Sequence, residues 1–383
     1  MANHPTKKAL ILSGGGARAA YHVGVLKAIA EIMPRKAANP FQIICGTSAG
    51  AINAASLATH AHDFRKAVQR ILSIWANFHV SQVFRDDIPT ILYIMSQWFL
   101  SIVFAGRFRR EKYLYLLDRG PLRKLLKKYI QANDIQNAID NSHIDALCIT
   151  ASGYSSHQSV SFFQGVDSLS NWSRVQRIGI KTKLTIDHLM ASSAIPFLFS
   201  PQKINREHFG DGSMRQSAPI SPALHLGAER VLIIGNRSDH AEHVKRVKGD
   251  DIPSIGQIAG HALDSIFLDS LIADIERVQR INKTVSLIPE DKRFEHGVML
   301  REVDVLVITP SEDMGVIASD YVHDLPRTIR FLLSGIGGTK NKESNLISYL
   351  LFERGYCRRL IDLGYKDAMA QKDELSRFLD LSV

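Results

Sequence analysis

The pentapeptide GTSAG, residues 46–50, has the G-x-S-x-G spacing of a serine nucleophile held in a sharp turn. The apolar residues 41–45 before it are typical of a buried strand, and the small residues 49–57 after it are typical of a helix. The two glycines remove Cβ atoms that would crowd such a turn. The pattern therefore predicts that Ser48 presents its hydroxyl at the turn, where it needs a base and an oxyanion site to react.

A second glycine cluster, SGGGAR at residues 13–18, lies between an apolar segment at 7–12 and an amphipathic segment at 19–32. The first segment is typical of a strand and the second of a helix. Consecutive glycines before a helix leave backbone N–H groups open toward negative charge, either a phosphate or the oxyanion of a tetrahedral intermediate. If the two strands are adjacent and parallel, this loop lies beside Ser48 and is a candidate oxyanion hole.

The same loop also admits a dinucleotide-binding interpretation. Gly14-x-Gly16-x-x-Ala19 satisfies the relaxed fingerprint of such sites. That fingerprint requires an acidic residue about 20 positions further on, at the end of the second strand. The second strand ends in Cys45, and the nearest acid upstream is Glu31, on the helix. We therefore favour the oxyanion hole and keep dinucleotide binding as an alternative.

Two kinds of residue could act as the base for Ser48. A Ser-His-Asp hydrolase needs a histidine after the serine, in a suitable place along the chain. Several of the 15 histidines lie downstream, and none stands in a distinctive context; they include His208, His240, His243, His261 and His296. Asp211 is the other candidate, because it follows the strand-like residues 203–209 and precedes a glycine and a serine. The residues alone leave both interpretations open.

Four motifs in a fixed order point to a known family. They are GGGAR at 14–18, GTSAG at 46–50, ASSAIPFLF at 191–199 and DGS at 211–213. Together with DRGPL at 118–122, they make the chain resemble the patatin-like phospholipase family of lipid acyl hydrolases, over roughly residues 7–235. The motifs are individually weak, but in register over this length they are specific.

The resemblance implies that Ser48 is the nucleophile and that Asp211 is its base, without a histidine. It also implies an oxyanion loop formed by Gly14, Gly15, Gly16 and Arg18. Two positions depart from the family pattern: Ala19 stands where glycine is usual, and Ser213 where glycine or alanine is usual. Both changes are small and concern the detailed geometry of the loops.

A lone carboxylate needs help to act as a base, because in water its pKa lies near about 4. Burial beside an apolar acyl-chain pocket would raise the pKa of Asp211 and strengthen it as a proton acceptor. The positive end of the helix that starts at Ala49 would favour charge at Ser48. We therefore predict a serine acyl hydrolase acting on phospholipids or lysophospholipids through an acyl-enzyme. The alternatives are a Ser-His-Asp esterase and a non-catalytic lipid-binding module on the same scaffold.

The composition of the chain indicates which binding partners and which cellular compartment to expect. The 383-residue chain has three cysteines, far apart, at Cys45, Cys148 and Cys357, which form neither a disulfide framework nor a metal motif. We expect a cytoplasmic protein without a metal or cofactor. The net charge of +9 suits nucleic acid or an anionic membrane. Because no nucleic-acid-binding motif accompanies the charge, we expect a peripheral association with anionic membrane surfaces.

Residues 88–106 contain no charged side chain and are followed by the basic stretch RFRR at 107–110. Their length approaches that of a membrane-spanning helix, but their polar residues make them only moderately apolar. Two interpretations stay open: a buried helix, or an interfacial helix beside the acyl pocket with its arginines on headgroups.

The order strand, glycine loop, helix, strand, turn, helix predicts an α/β fold with a mainly parallel sheet between helices. We expect a catalytic domain at 1–310, in which residues 60–140 form a mostly helical cover, and a C-terminal helical extension at 311–383. Two segments are predicted to be irregular, a loop at 236–253 and a linker at 337–344. Residues 346–381 are helical in pattern, with breaks expected at Gly355 and Gly364.

Overall fold

The computed structural model describes residues 6–93, 96, 115–236, 255–289, 292–293, 300–335 and 345–381. Within these ranges a ten-stranded mixed sheet forms the centre of the protein. The strands are β1 Lys8–Leu12, β2 Ile43–Thr47, β3 Ala146–Gly153, β4 Ser159–Gly165, β5 Trp172–Arg174, β6 Arg177–Lys181, β7 Gln202–Ile204, β8 Glu207–Asp211, β9 Arg230–Ile234 and β10 Asp304–Ile308.

Helices occupy most of the connections between these strands. They are α1 Ala20–Ile32, α2 Ala49–Ala58, α3 Phe64–Trp75, α4 Gly120–Tyr129, α5 Ala132–Asp140, α6 Ile186–Ser192, α7 Ser221–His225, α8 Ile255–Asp264, α9 Ser270–Ser286, α10 Met314–Asp320, α11 Arg327–Gly335, α12 Asn345–Leu350, α13 Arg354–Ala370 and α14 Lys372–Phe378. A π-helical turn joins α8 to α9. Residues 88–93 are also helical.

The main path of the sheet runs in the order β10-β9-β1-β2-β3-β4-β6-β5, and the strands from β10 to β3 are parallel. β4 joins β3 in the antiparallel direction. Alternate residues of the central strands face two cores, Leu10 and Ile44 on the side of α1 and α2, and Ile11 and Cys45 on the side of α7 and α9. The predicted α/β class, with a mainly parallel sheet between helices, is confirmed.

Beyond the end of β2, the same edge of β3 pairs with β8. β2 pairs with β3 up to Thr47, which lies opposite Thr150. β8 runs antiparallel to β3 and pairs from Asp211, opposite Ala151, onward. The carboxyl ends of β2 and β8 therefore meet end to end along the same edge of β3. The strand predicted at 203–209 is in fact the hairpin of β7 and β8, which continues to residue 211.

The C-terminal helix α13 packs closely against α1. A Cβ at Gly24 of α1 would collide with the carbonyl oxygen of Ile361, and one at Gly364 of α13 with that of Tyr21. The break predicted at Gly364 is therefore wrong, since this glycine lies inside α13 and permits the close approach of two helices. The division of the chain at residue 310 stays a prediction.

Several predicted segments lie outside the described residues. They are the loop from 237 to 253, the linker at 337–344 and, apart from 88–93 and 96, the uncharged segment at 88–106. At the start of that segment, Ile88 and Leu92 are exposed whereas Ile91 is buried. None of the helices in the described ranges combines the length and the hydropathy that a bilayer crossing requires.

Candidate active site

Ser48 occupies a strained turn between β2 and α2. Its backbone has φ 56° and ψ −127°, a left-handed conformation that a non-glycine residue rarely adopts. Gly46 and Gly50 must be glycines because other backbone atoms approach them closely. A Cβ at Gly46 would collide with the carbonyl oxygen of Gly50, and one at Gly50 with that of Leu12. The turn thus has the sharp geometry that the GTSAG pattern predicts.

The Ser48 hydroxyl donates a hydrogen bond of 2.6 Å to Oδ2 of Asp211. The two residues are 163 positions apart, and they meet because β2 and β8 end against each other beside β3. Both side chains are buried. The structure therefore brings together the serine and the aspartate that the sequence singled out.

Burial raises the pKa of Asp211 from its ordinary value of 3.8 to about 6. The hydrogen bond from Ser48, the bond of 3.0 Å from the Ser213 N–H to Oδ1, and the charge of Arg119 all act in the opposite direction. At neutral pH the carboxylate is mostly ionised, but it holds a proton more strongly than an aspartate in water. This is the electrostatic condition that a general base for a hydroxyl requires.

Arg119 is a buried cation near this carboxylate. Its guanidinium donates to the carbonyl oxygens of Met190, at 2.7 Å, and Ser200, at 2.6 Å. Burial lowers the pKa of Arg119 to about 10, and the charge of Asp211 opposes that shift. Arg119 therefore stays charged at neutral pH and limits how far the pKa of Asp211 can rise.

Ser192, at the end of α6, holds the backbone of the turn. Its hydroxyl accepts a bond of 2.9 Å from the N–H of Ser48 and donates one of 2.6 Å to the carbonyl oxygen of Thr150. The amide of Ser48 is therefore satisfied inside the protein. It follows that this amide is not free to bind an oxyanion.

The glycine loop lies beside the turn, as adjacency of β1 and β2 predicts: Leu12 pairs with Gly46 in the parallel register. Gly16 and Ser48 line the same cleft. Among the described residues, the amides of Gly14 and Gly15 meet no acceptor. Gly16 has φ +55°, and a Cβ there would collide with the carbonyl oxygen of Tyr349.

Arg18 follows these glycines, and its side chain contacts C-terminal residues. Its Nε donates to the hydroxyl of Ser348 at 2.7 Å, and its Nη1 lies 3.3 Å from a carboxylate oxygen of Asp264. The guanidinium also stacks on the ring of Tyr349, 4.1 Å from its centroid. Its backbone N–H donates to the carbonyl oxygen of Gly15. The role of Arg18 in an oxyanion loop stays a prediction.

An apolar cleft with an empty volume of about 710 Å³ opens at Ser48. Its walls come from α2, α3 and α4 and from the C-terminal segment, including Ile52, Ile71, Trp75, Leu122, Leu126 and Phe352. Ser48 and Gly16 also line the cleft. The apolar lining of this cleft suits a hydrocarbon chain attached to the group that reaches Ser48.

No histidine takes part in the hydrogen bonds of Ser48 or Asp211 within the described part of the chain. Of the five histidines considered from the sequence, His240, His243 and His296 lie outside the described residues. The three cysteines are buried and free. In the ranges that the structure describes, no three His, Cys, Asp or Glu side chains come together as a metal site.

Sequence reasoning missed the residues that support the pair. Ser192 and Arg119 stand inside ASSAIPFLF and DRGPL, which entered only as family motifs, without a role. Asn236 donates from Nδ2 to the carbonyl oxygen of Gly14 at 2.7 Å and steadies the glycine loop. Asn236 lies two residues after β9, and the local sequence there predicts that strand but gives no indication of a role in the site.

Comparisons with known proteins give one match of substantial length. A family model described as patatin-like phospholipase matches residues 10–224. No curated protein is significantly similar in sequence. Among solved structures, VipD from Legionella pneumophila aligns with 97% of this chain and 67% of its own, at 14% identity and a TM-score of 0.36. The heterodimeric ExoU–SpcU complex of Pseudomonas aeruginosa aligns over 90% and 68%, at 12% identity and a TM-score of 0.27.

Proposed function

The chain belongs to the patatin-like phospholipase family, and from this premise we propose that it is a serine hydrolase of fatty-acyl esters of lipids. Ser48 is the nucleophile and Asp211 is its base. The observation that carries the proposal is the 2.6 Å hydrogen bond from the hydroxyl of Ser48, which lines an apolar cleft, to the Asp211 carboxylate.

The first half of the proposed reaction forms an acyl-enzyme. Asp211 accepts the hydroxyl proton as Oγ of Ser48 attacks the ester carbonyl carbon, and the carbonyl oxygen becomes an oxyanion. The amides of Gly14 and Gly15 are the donors that we assign to that oxyanion, with the N-terminal end of α2 adding positive potential. Collapse of the intermediate returns the proton from Asp211 to the leaving alkoxide. The acyl group then remains on Ser48.

The second half reverses the roles with water. Asp211 takes a proton from water, the resulting hydroxide equivalent attacks the acyl carbonyl, and Ser48 leaves with that proton. The fatty acid and the free enzyme are the products. The apolar cleft holds the acyl chain in both halves, so that its carbonyl carbon stays beside Ser48.

The finer assignment is a phospholipase A or lysophospholipase that acts at an anionic membrane surface. The family, the net charge of +9 and the exposed apolar side chains of Ile88 and Leu92 support it. Sedimentation with vesicles of phosphatidylcholine alone, and with added phosphatidylglycerol, tests the membrane part. We expect co-sedimentation to depend on the anionic lipid and to weaken with added salt.

Single variants of the pair test the proposed mechanism. Ser48→Ala and Asp211→Asn should each lower kcat on p-nitrophenyl butyrate and on lysophosphatidylcholine by at least about 1,000-fold. A fluorophosphonate should label the wild type and not Ser48→Ala. Ser73→Ala, at an exposed serine of α3, is the matched control and should keep wild-type activity.

The outcomes separate the alternatives. Full activity in Asp211→Asn, with loss of activity in a single His→Ala variant, would establish a Ser-His-Asp esterase instead. Absence of labelling and of hydrolysis in the folded wild type, with lipid binding retained, would establish a non-catalytic lipid-binding module.

A further inference from the structure

A second cleft near the reacting pair has a lining with more polar residues than that of the apolar cleft. It has an empty volume of about 780 Å³ and shares no lining residue with the apolar cleft. Its polar lining includes His157, Gln176, Ser213, Arg215, Gln216 and Ser217. No acidic side chain lines it in the described structure. We call it the Arg215 cleft.

The Arg215 cleft is joined to the reacting pair by direct contacts. The N–H of Ser213 donates to Oδ1 of Asp211, and a Cβ at Gly14 would collide with the Ser213 hydroxyl. Gln216 accepts a bond of 2.8 Å from the hydroxyl of Thr47, the residue before Ser48. A group bound in this cleft therefore lies next to the base and next to the glycine loop.

Arg215 is an exposed residue that gives the cleft a positive charge. Its guanidinium donates to the carbonyl oxygen of His157 at 3.1 Å, which orients the side chain without neutralising it. Among the described residues, no carboxylate lies within ion-pair distance of it. Gln176, which also lines the cleft, stands in the turn between β5 and β6.

We infer that the Arg215 cleft binds the phosphate of a phospholipid headgroup while the acyl chain of the same molecule occupies the apolar cleft. A lipid ester has one apolar and one polar end. The apolar cleft is lined by Ser48, and the Arg215 cleft reaches Asp211 and Thr47 through the hydrogen bonds of Ser213 and Gln216. A guanidinium fork with neighbouring hydroxyl and amide donors is the set that recognises phosphate. The inference rests on the proposed function for the identity of the bound molecule.

The first experiment compares two substrates that differ only in the phosphate, 1-oleoyl lysophosphatidic acid and 1-monooleoylglycerol. Wild type should prefer the phosphorylated lipid. Arg215→Gln should lower the ratio of kcat/KM for the phosphorylated over the neutral lipid by about 10- to 100-fold. Arg215→Lys should lower it less, because the charge stays and the fork is lost. Arg206→Gln, at an exposed arginine at the other end of β8, should leave the ratio unchanged. An unchanged ratio in Arg215→Gln would overturn the inference.

The second experiment is independent of catalysis. In the Ser48→Ala background, isothermal titration calorimetry with sn-glycerol 3-phosphate should show binding that Arg215→Gln weakens by a similar factor. Inorganic phosphate should bind more weakly than glycerol 3-phosphate. Equal binding of both, with an unchanged substrate ratio, would show a free-phosphate site and overturn the assignment to a headgroup. Binding lost in Arg215→Gln, with no hydrolysis by wild type, would instead refute the proposed function and keep the phosphate site.

Discussion

Asp211→Asn should make the protein more stable at pH 8 while abolishing its activity. Burial raises the pKa of Asp211 from 3.8 to about 6, so the folded protein holds this proton more strongly than the unfolded chain does. For an acid whose pKa is raised on folding, stability is full below the unfolded value and is lost as pH rises through the folded value. The contribution of Asp211 to the stability of the wild type is therefore lost between about pH 4 and pH 6 and does not return above that range.

The size of the effect follows from the two pKa values. Their difference corresponds to about 3 kcal/mol of unfavourable free energy for the ionised carboxylate above pH 6. Asparagine imitates the protonated side chain: its oxygen can accept from the Ser213 N–H, and its amide can donate to Ser48. Spread over the unfolding entropy of a 383-residue chain, this free energy raises Tm by about 4 °C.

Differential scanning calorimetry of wild type and Asp211→Asn between pH 4 and pH 8 measures the effect. The gain in Tm should be near zero at pH 4 and grow to its full value by pH 8. Taking the difference between the two proteins removes the other titrating groups, which both share. Asp320→Asn, at an exposed carboxylate at the end of α10, is the matched control for the exchange of a carboxylate for an amide. A variant that is less stable at pH 8, or a gain independent of pH, would refute the reasoning.

Three further expectations follow from the same site. The kcat/KM of wild type on p-nitrophenyl butyrate should fall about tenfold per pH unit below pH 6, because Asp211 must be ionised to accept a proton, and a flat profile down to pH 4 would contradict this. Arg18→Lys should lower kcat about tenfold with a smaller change in KM, because lysine cannot reproduce the two contacts of the guanidinium with Ser348 and Asp264 that steady the glycine loop. An unchanged kcat in steady-state kinetics would argue against that role. Ser192→Ala should destabilise the protein by about 1–3 kcal/mol, because the N–H of Ser48 and the carbonyl of Thr150 lose their partner, and an unchanged Tm in differential scanning fluorimetry would count against it.

Local patterns carried much of the fold. The apolar runs at 7–12 and 41–45 predict β1 and β2 to within two residues, and the glycines around Ser48 predict the turn. These features depend on neighbouring residues, whose hydrophobicity and size are visible in the sequence. The same reasoning failed at Gly364, because a glycine needed for packing between α1 and α13 has the same local signature as a glycine that ends a helix.

Local sequence patterns predicted less well which distant residues meet in the candidate site. The residues alone left both Asp211 and a histidine open as the base, and only the family resemblance favoured Asp211. A strand that ends in Asp-Gly is a common turn and says nothing about which strand lies beside it. The contacts of Arg18 with Ser348 and Asp264 join residues more than two hundred positions apart, and no spacing rule encodes them. Long-range contacts of this kind depend on the whole topology of the sheet.

Pairing with β3 sets the distance between Ser48 and Asp211. β2 ends opposite Thr150 and β8 ends opposite Ala151, so the register of one strand fixes both positions. A strand advances about 3.3 Å per residue and alternates faces, so a slip of β8 by a single residue would exceed the length of the Ser48–Asp211 hydrogen bond and turn the carboxylate away. Insertions between β4 and α6 can therefore vary widely in length at no cost to that distance, provided that residues 209–211 keep their pairing with 151–153.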